Sequence, residues 1–247
     1  MRKDYRADLH VHTVLSPCAE IEMLPPLIVE EAISRGIQII AITDHNATAN
    51  IAAVQQAAAG TELVVLPGVE LQTQEEVHVL CLFDTLDQAL ELQKLIDRHL
   101  PSIPNDPEHF GVQLIVDAAG DLIAQEERLL LSSVDVSFTE AFQWVAALDG
   151  LFIPAHVNRK AYGLIEVLGF VPFDVDVEAL EISRHIKPGD VPVKFPQIKK
   201  YPLIQDGDVH RLEEFLGVNH LHIAAPTIPE IRLAIQAREG RSLSILA

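Results

Sequence analysis

Asp8-Leu9-His10-Val11-His12-Thr13 is the stretch on which the reading of this chain turns. Along an extended strand successive side chains alternate between faces, so His10 and His12 project to one side while Leu9 and Val11 point to the other. Two imidazoles one strand repeat apart can grip a single divalent cation from one rigid element. Asp8 and Thr13 stand where they would hydrogen-bond the far ring nitrogens or the adjoining backbone, the support that ligand histidines need. A lone His-x-His also arises by chance on exposed strands, so its meaning depends on the rest of the chain.

Downstream lies a series of polar clusters: Thr43-Asp44-His45-Asn46, Pro67-Gly68-Val69-Glu70, Val77-His78-Val79, Pro154-Ala155-His156 and Asp208-Val209-His210. Each ends or succeeds a short apolar run that reads as a strand. Metal-binding residue types therefore recur at strand C-termini, where α/β barrels build their active sites. In order and in residue type, from Asp8 to about His210, the series resembles the PHP (polymerase and histidinol phosphatase) family of metal-dependent phosphoesterases. That resemblance implies an α/β fold, a distorted (β/α)7 barrel of the PHP type.

Bulk properties agree with one barrel domain over residues 1–247, a length at which α/β barrels are usually a single domain. No apolar run approaches the roughly 20 residues that span a bilayer. Met1-Arg2-Lys3-Asp4-Tyr5-Arg6 has basic residues with no apolar run behind them, so it does not read as a signal peptide. Two cysteines, Cys18 and Cys81, make no disulfide framework and suit a reducing compartment. A cytoplasmic protein with no membrane partner is expected, and the oligomeric state stays open. The formal charge of −18 argues against long nucleic acid, whose phosphates are bound by Lys and Arg clusters, and leaves small phosphorylated substrates.

The first hundred residues alternate strand and helix. Pro25-Pro26 opens a helix that closes at Gly36, Ile37–Ile42 is a strand, and an Ala-rich helix ends at Gly60. Glu62–Leu66 reads as a third strand broken by Pro67-Gly68, and Val77–Phe83 as a fourth. Residues 101–137 leave that rhythm. They read as an insertion carrying a small hairpin, Val112–Val116 and Leu122–Ala124, placed either as a wall over the barrel mouth or as an excursion away from it.

Carboxylates and imidazoles with no Cys-x-x-Cys pair suit zinc, manganese or iron rather than a closed structural zinc site. The family resemblance implies two or three such ions. His10, His12, Glu70 and Asp208 would surround one, His45 and His210 would hold a second, and His78 and His156 a third, with Glu70 bridging. Some trinuclear relatives carry a second-metal histidine at the position that Cys18 occupies here, where a thiolate could substitute. Asp44 reads as a support for the ligands or a proton acceptor. Arg159 and Arg184 are candidates to hold the substrate phosphate, since a guanidinium forks onto phosphate oxygens.

The function implied is hydrolysis of a small phosphorylated metabolite or nucleotide by attack of metal-bound hydroxide. Two alternatives stand beside it. One is an amidohydrolase-like C–N hydrolase, which shares His-x-His at the first strand but often adds a metal-bridging lysine that no strand end supplies here. The other is a non-catalytic metal- or ligand-binding module.

Overall fold

The structure, a computed structural model, describes residues 1–246. Strand β1 (Lys3–Val11), helix α1 (Pro25–Ser34), strand β2 (Ile39–Ile42), helix α2 (Ile51–Ala57) and strand β3 (Val64–Gln72) succeed one another, with β1, β2 and β3 parallel neighbours. The prolines at the start of α1 preset φ and remove two first-turn amides that would lack an intrahelical partner.

Pro67-Gly68 does not break the third strand. Instead β3 changes partner there. As far as Pro67 it pairs with β2, and from Gly68 onward it pairs antiparallel with β4 (His78–Leu82). Gly68 is needed at the change, because a Cβ would sit 2.8 Å from Leu82 Cδ2 and 2.9 Å from Thr43 Cγ2.

Helix α3 (Leu86–His99) comes next, its start closed by a Thr85/Gln88 capping box. A short antiparallel hairpin, β5 (Leu114–Val116) and β6 (Leu122–Gln125), precedes α4 (Phe138–Ala147) and β7 (Leu151–Pro154). The remainder holds α5 (Leu164–Leu168), β8 (Leu180–Glu181), α6 (Val191–Lys194), β9 (Leu203–Ile204), β10 (Asn219–Ile223), α7 (Ile228–Ile235) and β11 (Ser242–Ile245).

Seven strands form one sheet in the order β11-β10-β1-β2-β3-β4-β7, and β8 and β9 form a separate parallel pair. Only β1/β2 and β2/β3 are parallel within the large sheet; β10 lies antiparallel to β1, and β4 antiparallel to both β3 and β7. The protein is thus a mixed α/β fold on a curled half-barrel, not seven regular βα units. The reason lies in the connections: a parallel crossover needs a dozen or more residues, and the link from Gln72 to His78 is far shorter.

Alternation along β2 sorts the core into two parts. Ile39 and Ala41 join Ala7, Leu9, Leu66, Leu80, Leu82 and Ile153 in a cluster to which α7 adds Ile228 and Ile231. Ile40 and Ile42 face a larger cluster with Ile28 of α1, Val54 of α2, Leu92 of α3 and Val145 of α4. Among the described residues, no helix is long and apolar enough to cross a membrane.

This topology gathers the polar motifs at one end. The backbone continues to pair beyond the strands: His12 N donates to Val209 O, Thr43 N to Val11 O, Asn46 N to Glu70 O and Ala155 N to His78 O, all within 3.0 Å. Because β4 runs antiparallel to β3, its first residue, His78, lies beside Gln72 at the end of β3.

Candidate metal centre

The register shift between Asp8 and Val11 alters the alternation expected of β1. Leu9 stays with Ala7 in the smaller cluster, whereas Val11 joins the larger one. His10 and His12 nonetheless converge, their Nε2 atoms 3.1 Å apart.

Glu70, 1% exposed, lies at the centre of a ring of imidazoles. Its Oε1 is 2.8 Å from His78 Nδ1, 3.0 Å from His156 Nε2 and 3.3 Å from His10 Nε2. Its Oε2 is 3.0 Å from His45 Nδ1 and 3.4 Å from His12 Nε2. Asp208 Oδ1 reaches His10, His12 and His210 at 3.4–3.5 Å. Three donor sets emerge with their ligand atoms within 4.8 Å of one another: His10/His12/Glu70/Asp208, His12/His45/His210 and His45/Glu70/His78. Cys18 Sγ lies 3.1 Å from His210 Nε2.

The outer nitrogens of these rings reveal what the inner ones are for. His10 Nδ1 donates to Glu181 Oε1 at 3.0 Å, His12 Nδ1 to Ser16 Oγ at 2.9 Å, His78 Nε2 to Gln72 Oε1 at 3.1 Å and His210 Nδ1 to the Asp208 carbonyl at 2.9 Å. Each such bond fixes the tautomer of the neutral ring, whose opposite nitrogen then presents a lone pair. Those lone pairs point at carboxylate oxygens, at one another or at sulfur, an arrangement that a cation relieves. His45 Nδ1 and Glu70 Oε2 are buried with no hydrogen-bond partner, which makes the same demand. The residues fit divalent ions with nitrogen and oxygen ligands.

Charge in the cluster is finely divided. Burial works against the charge on Glu70, but His78, His10 and His45 outweigh it and hold the carboxyl well below the usual range. Asp208 is likewise held low, with His10 and His12 overcoming burial. Burial also opposes a proton on His10, yet Glu181, Glu70 and Asp208 draw its value well above that of an ordinary histidine. For His12, burial and His210 push it well down, and burial brings His78 down to about 4. Burial raises the Cys18 thiol, but His45 and His210 more than compensate and bring it to about 6.

Several supports differ from those expected. Asp8 accepts from the amides of Gly207, Leu216 and Gly217, and Thr13 is tied to Asp44, so neither holds a ligand ring. Asp44 lies outside the donor sets. It accepts from Thr13 N, Thr13 Oγ1 and Ser16 Oγ, and so orients the hydroxyl that receives His12. Glu181, which the sequence did not single out, grips His10 and also accepts from His156 N at 2.7 Å. A carboxylate inside the apolar run Ala179–Ser183 was the available signal, because a buried charge is costly unless paired.

A cavity of about 210 Å³ opens onto the cluster, lined by Cys18, His45, Glu70, Gln72, His78, Leu131, His156, Arg159, Tyr162, Asp208 and His210. Arg159 Nη1 donates to Asp208 Oδ2 at 2.6 Å, so its guanidinium stands at the rim. Arg184 is absent from that lining; it donates to the Gly207 carbonyl. Tyr162 stacks on His78 with ring centroids 4.3 Å apart. Leu131 belongs to residues 101–137, and Asn46 Nδ2 donates to the carbonyls of Leu130 and Ser132, so this segment supplies a wall. Elsewhere His99 packs on Trp144 and His222 pairs with Asp4, away from the cluster.

A curled α/β sheet whose polar end carries a buried carboxylate among histidines defines a metal-dependent hydrolase. The chain belongs to the PHP family: the PHP domain model matches residues 8–166. Members bind several divalent metals, and the His/Glu/Asp cluster here is able to hold them.

No curated protein sequence matches the chain. Among solved structures, the lesion-specific endonuclease Q of Pyrococcus furiosus is similar at a TM-score of 0.70 and 19% identity, over 98% of this chain and 58% of that one. The present chain therefore spans little more than half of endonuclease Q. A protein of Bifidobacterium adolescentis, described as a candidate metal-dependent phosphoesterase, gives 0.56 and 17% over 85% and 90%. An amidohydrolase of Chromobacterium violaceum, solved with bound sulfate and no metal, gives 0.57 and 20% over 98% of both chains. At these identities the likeness is one of fold.

One expectation is overturned by these comparisons. Endonuclease Q has been captured with a 27-mer duplex bearing an abasic lesion at its active site, and that structure matches at a TM-score of 0.69. A protein that includes this fold takes a duplex DNA substrate, so the exclusion of long nucleic acid and the restriction to small phosphorylated partners do not hold. Net charge is a sum over the chain, while nucleic acid meets only one face of it.

Proposed function

We propose that the chain is a metal-dependent phosphoester hydrolase that accepts one nucleotide-sized phosphoester at a time, with a nucleic acid as an admissible source. The observation that carries this reading is the convergence of fixed imidazole lone pairs on Glu70 and Asp208 beneath a cavity rimmed by Arg159. His10, His12, Glu70 and Asp208 would hold one ion; His45 and His210 a second; His78 and His156, with Glu70, a third. When bound, divalent ions bring a coordinated water toward neutral pKa and offset charge on the phosphoryl oxygens.

The protein's own groups do the rest. Arg159 leaves Asp208 and turns its fork to the phosphate oxygens, a charge-assisted contact that fixes orientation. Asp44, through Ser16, and Glu181 keep His12 and His10 in the one tautomer that leaves Nε2 free. Tyr162 and Leu131 wall the cavity and limit water. About 210 Å³ admits a phosphate with a small organic group, and a duplex enters only by extruding a nucleotide.

The test is a screen with manganese, zinc or iron against phosphomonoesters, mononucleotides, phosphodiesters and duplexes with and without an abasic site. Metal-dependent turnover that disappears in Glu70→Gln is expected. Failure on every phosphoester, with turnover of amides, would move the chain to C–N hydrolysis. That second reading is favoured by the amidohydrolase likeness and opposed by a cavity lining that contains no lysine.

A further inference from the structure

Cys18 stands out among the groups around the cavity, since it is neither a nitrogen nor an oxygen donor and yet is aimed at one. Its Sγ is 3.1 Å from His210 Nε2. His210 Nδ1 is committed as a donor to the Asp208 carbonyl, so Nε2 faces the sulfur with a lone pair. His12, whose Nδ1 is committed to Ser16, likewise turns Nε2 inward, and its ring stacks on His210 with centroids 4.0 Å apart. His45, 5% exposed, belongs to the same donor set as His12 and His210. His12, His45 and His210 thus offer three nitrogens, whereas a tetrahedral cation takes four ligands. The other cysteine, Cys81, is fully buried among apolar residues of β4 and reaches none of this.

We propose that Cys18 binds, as a thiolate, the cation held by His45 and His210, and that this sulfur makes the position selective for zinc over manganese. The inference rests on the metal centre proposed above and adds to it a soft ligand. Thiolate favours zinc, while carboxylate and water suit manganese, so one sulfur distinguishes this position from the carboxylate-rich one at His10 and Asp208. On binding, the proton held between Cys18 and His210 passes to solvent and a sulfur–metal bond forms; no electrons change hands.

Cobalt(II) reports the bond directly. The metal-stripped chain loaded with cobalt should show a sulfur-to-cobalt charge-transfer band in the near ultraviolet. That band should vanish in Cys18→Ser with loss of one bound ion, and persist in Cys81→Ala. Cys18→His should keep the ion without the band and lose the preference for zinc. On the unsubstituted chain, iodoacetamide should label Cys18 after chelation and spare it when zinc is bound. A full complement of cobalt with no sulfur band, or equal labelling with and without zinc, overturns the thiolate alone. Failure to take up cobalt at all overturns the metal centre as well.

Discussion

Glu181 shows how much of the site rests on residues outside the donor sets. Its carboxylate fixes His10 from behind and the His156 amide from the side, joining β8 to two ligand-bearing segments. Glu181→Gln retains the shape and weakens the acceptor, so metal affinity at the His10 position should fall about 10–100-fold with the fold intact. A chelator competition titration beside a thermal melt checks this; unchanged affinity would leave Glu181 a purely structural residue. Arg159→Ala should lower kcat/KM for a phosphoester by roughly 30-fold, the equivalent of about 2 kcal/mol for one charge-assisted hydrogen bond. Arg184→Ala, away from the cavity, should leave that ratio within about twofold. The histidines could be picked from the sequence because each stands beside a short apolar run. Ser16 and Gln72 could not, since their tasks depend on which ring nitrogen faces them across the fold, and Glu181 left only the trace of a carboxylate inside an apolar run. Four of the eight non-glycine residues with positive φ among the described residues lie at or beside the site: His156, Asp208, Asn46 and Tyr162, at 29°, 49°, 51° and 60°. Non-glycine residues are held there at a cost, typically where function over-determines the geometry.

The elements from β1 to α2, and β3 as far as Leu66, can be read from the sequence because hydrophobic period and helix punctuation agree there. Beyond β3 the sheet departs from a regular barrel, and the cause is local. Pro67-Gly68 has the composition of a strand breaker, yet Gly68 is where β3 exchanges a parallel neighbour for an antiparallel one. Pairing direction depends on connection length and three-dimensional fit, to which apolar periodicity is blind. The 101–137 segment has a comparable hidden constraint. Gly111 adopts φ +100°, and a Cβ there would collide with the Pro17 carbonyl, one residue from Cys18. Leu114 N and Val14 O, bonded at 2.9 Å, press the same segment onto the ligand loop. Because the obstacle is backbone, Gly111→Ala has no rotamer escape and should cost about 1–3 kcal/mol. Chemical denaturation measures that cost, and a variant as stable as the parent would show that the segment and the Cys18 loop move independently.

Charge has to be read by location in a chain of −18. From Arg159 at the cavity rim to Lys200, seven of the eighteen basic residues meet six acidic ones, so this stretch is nearly neutral in a chain that is otherwise strongly acidic. The cluster itself ties protonation, metal and stability together. His10 and His45 are held well above the ordinary histidine value in the metal-free chain. Their protonated forms therefore stabilise that fold below about pH 6.5, and the contribution is lost as pH rises through their elevated values. His12 and His78 run the other way: their contribution is complete above about pH 6.5 and fades as pH falls, for His78 through about 4. A cation needs neutral imidazoles, so it must displace the protons of His10 and His45, and its apparent affinity should rise with pH. One ion at 100 times its Kd adds about 2.7 kcal/mol, worth roughly 5–10 °C in a chain of this size. The gap in melting temperature between zinc-loaded and chelator-treated protein should accordingly widen from about pH 6 to about pH 8. Calorimetric titration in buffers of different ionisation enthalpy should show protons released as zinc binds. A gap that stays constant or narrows, with no proton release, would mean that the imidazoles around Glu70 are neutral before the metal arrives.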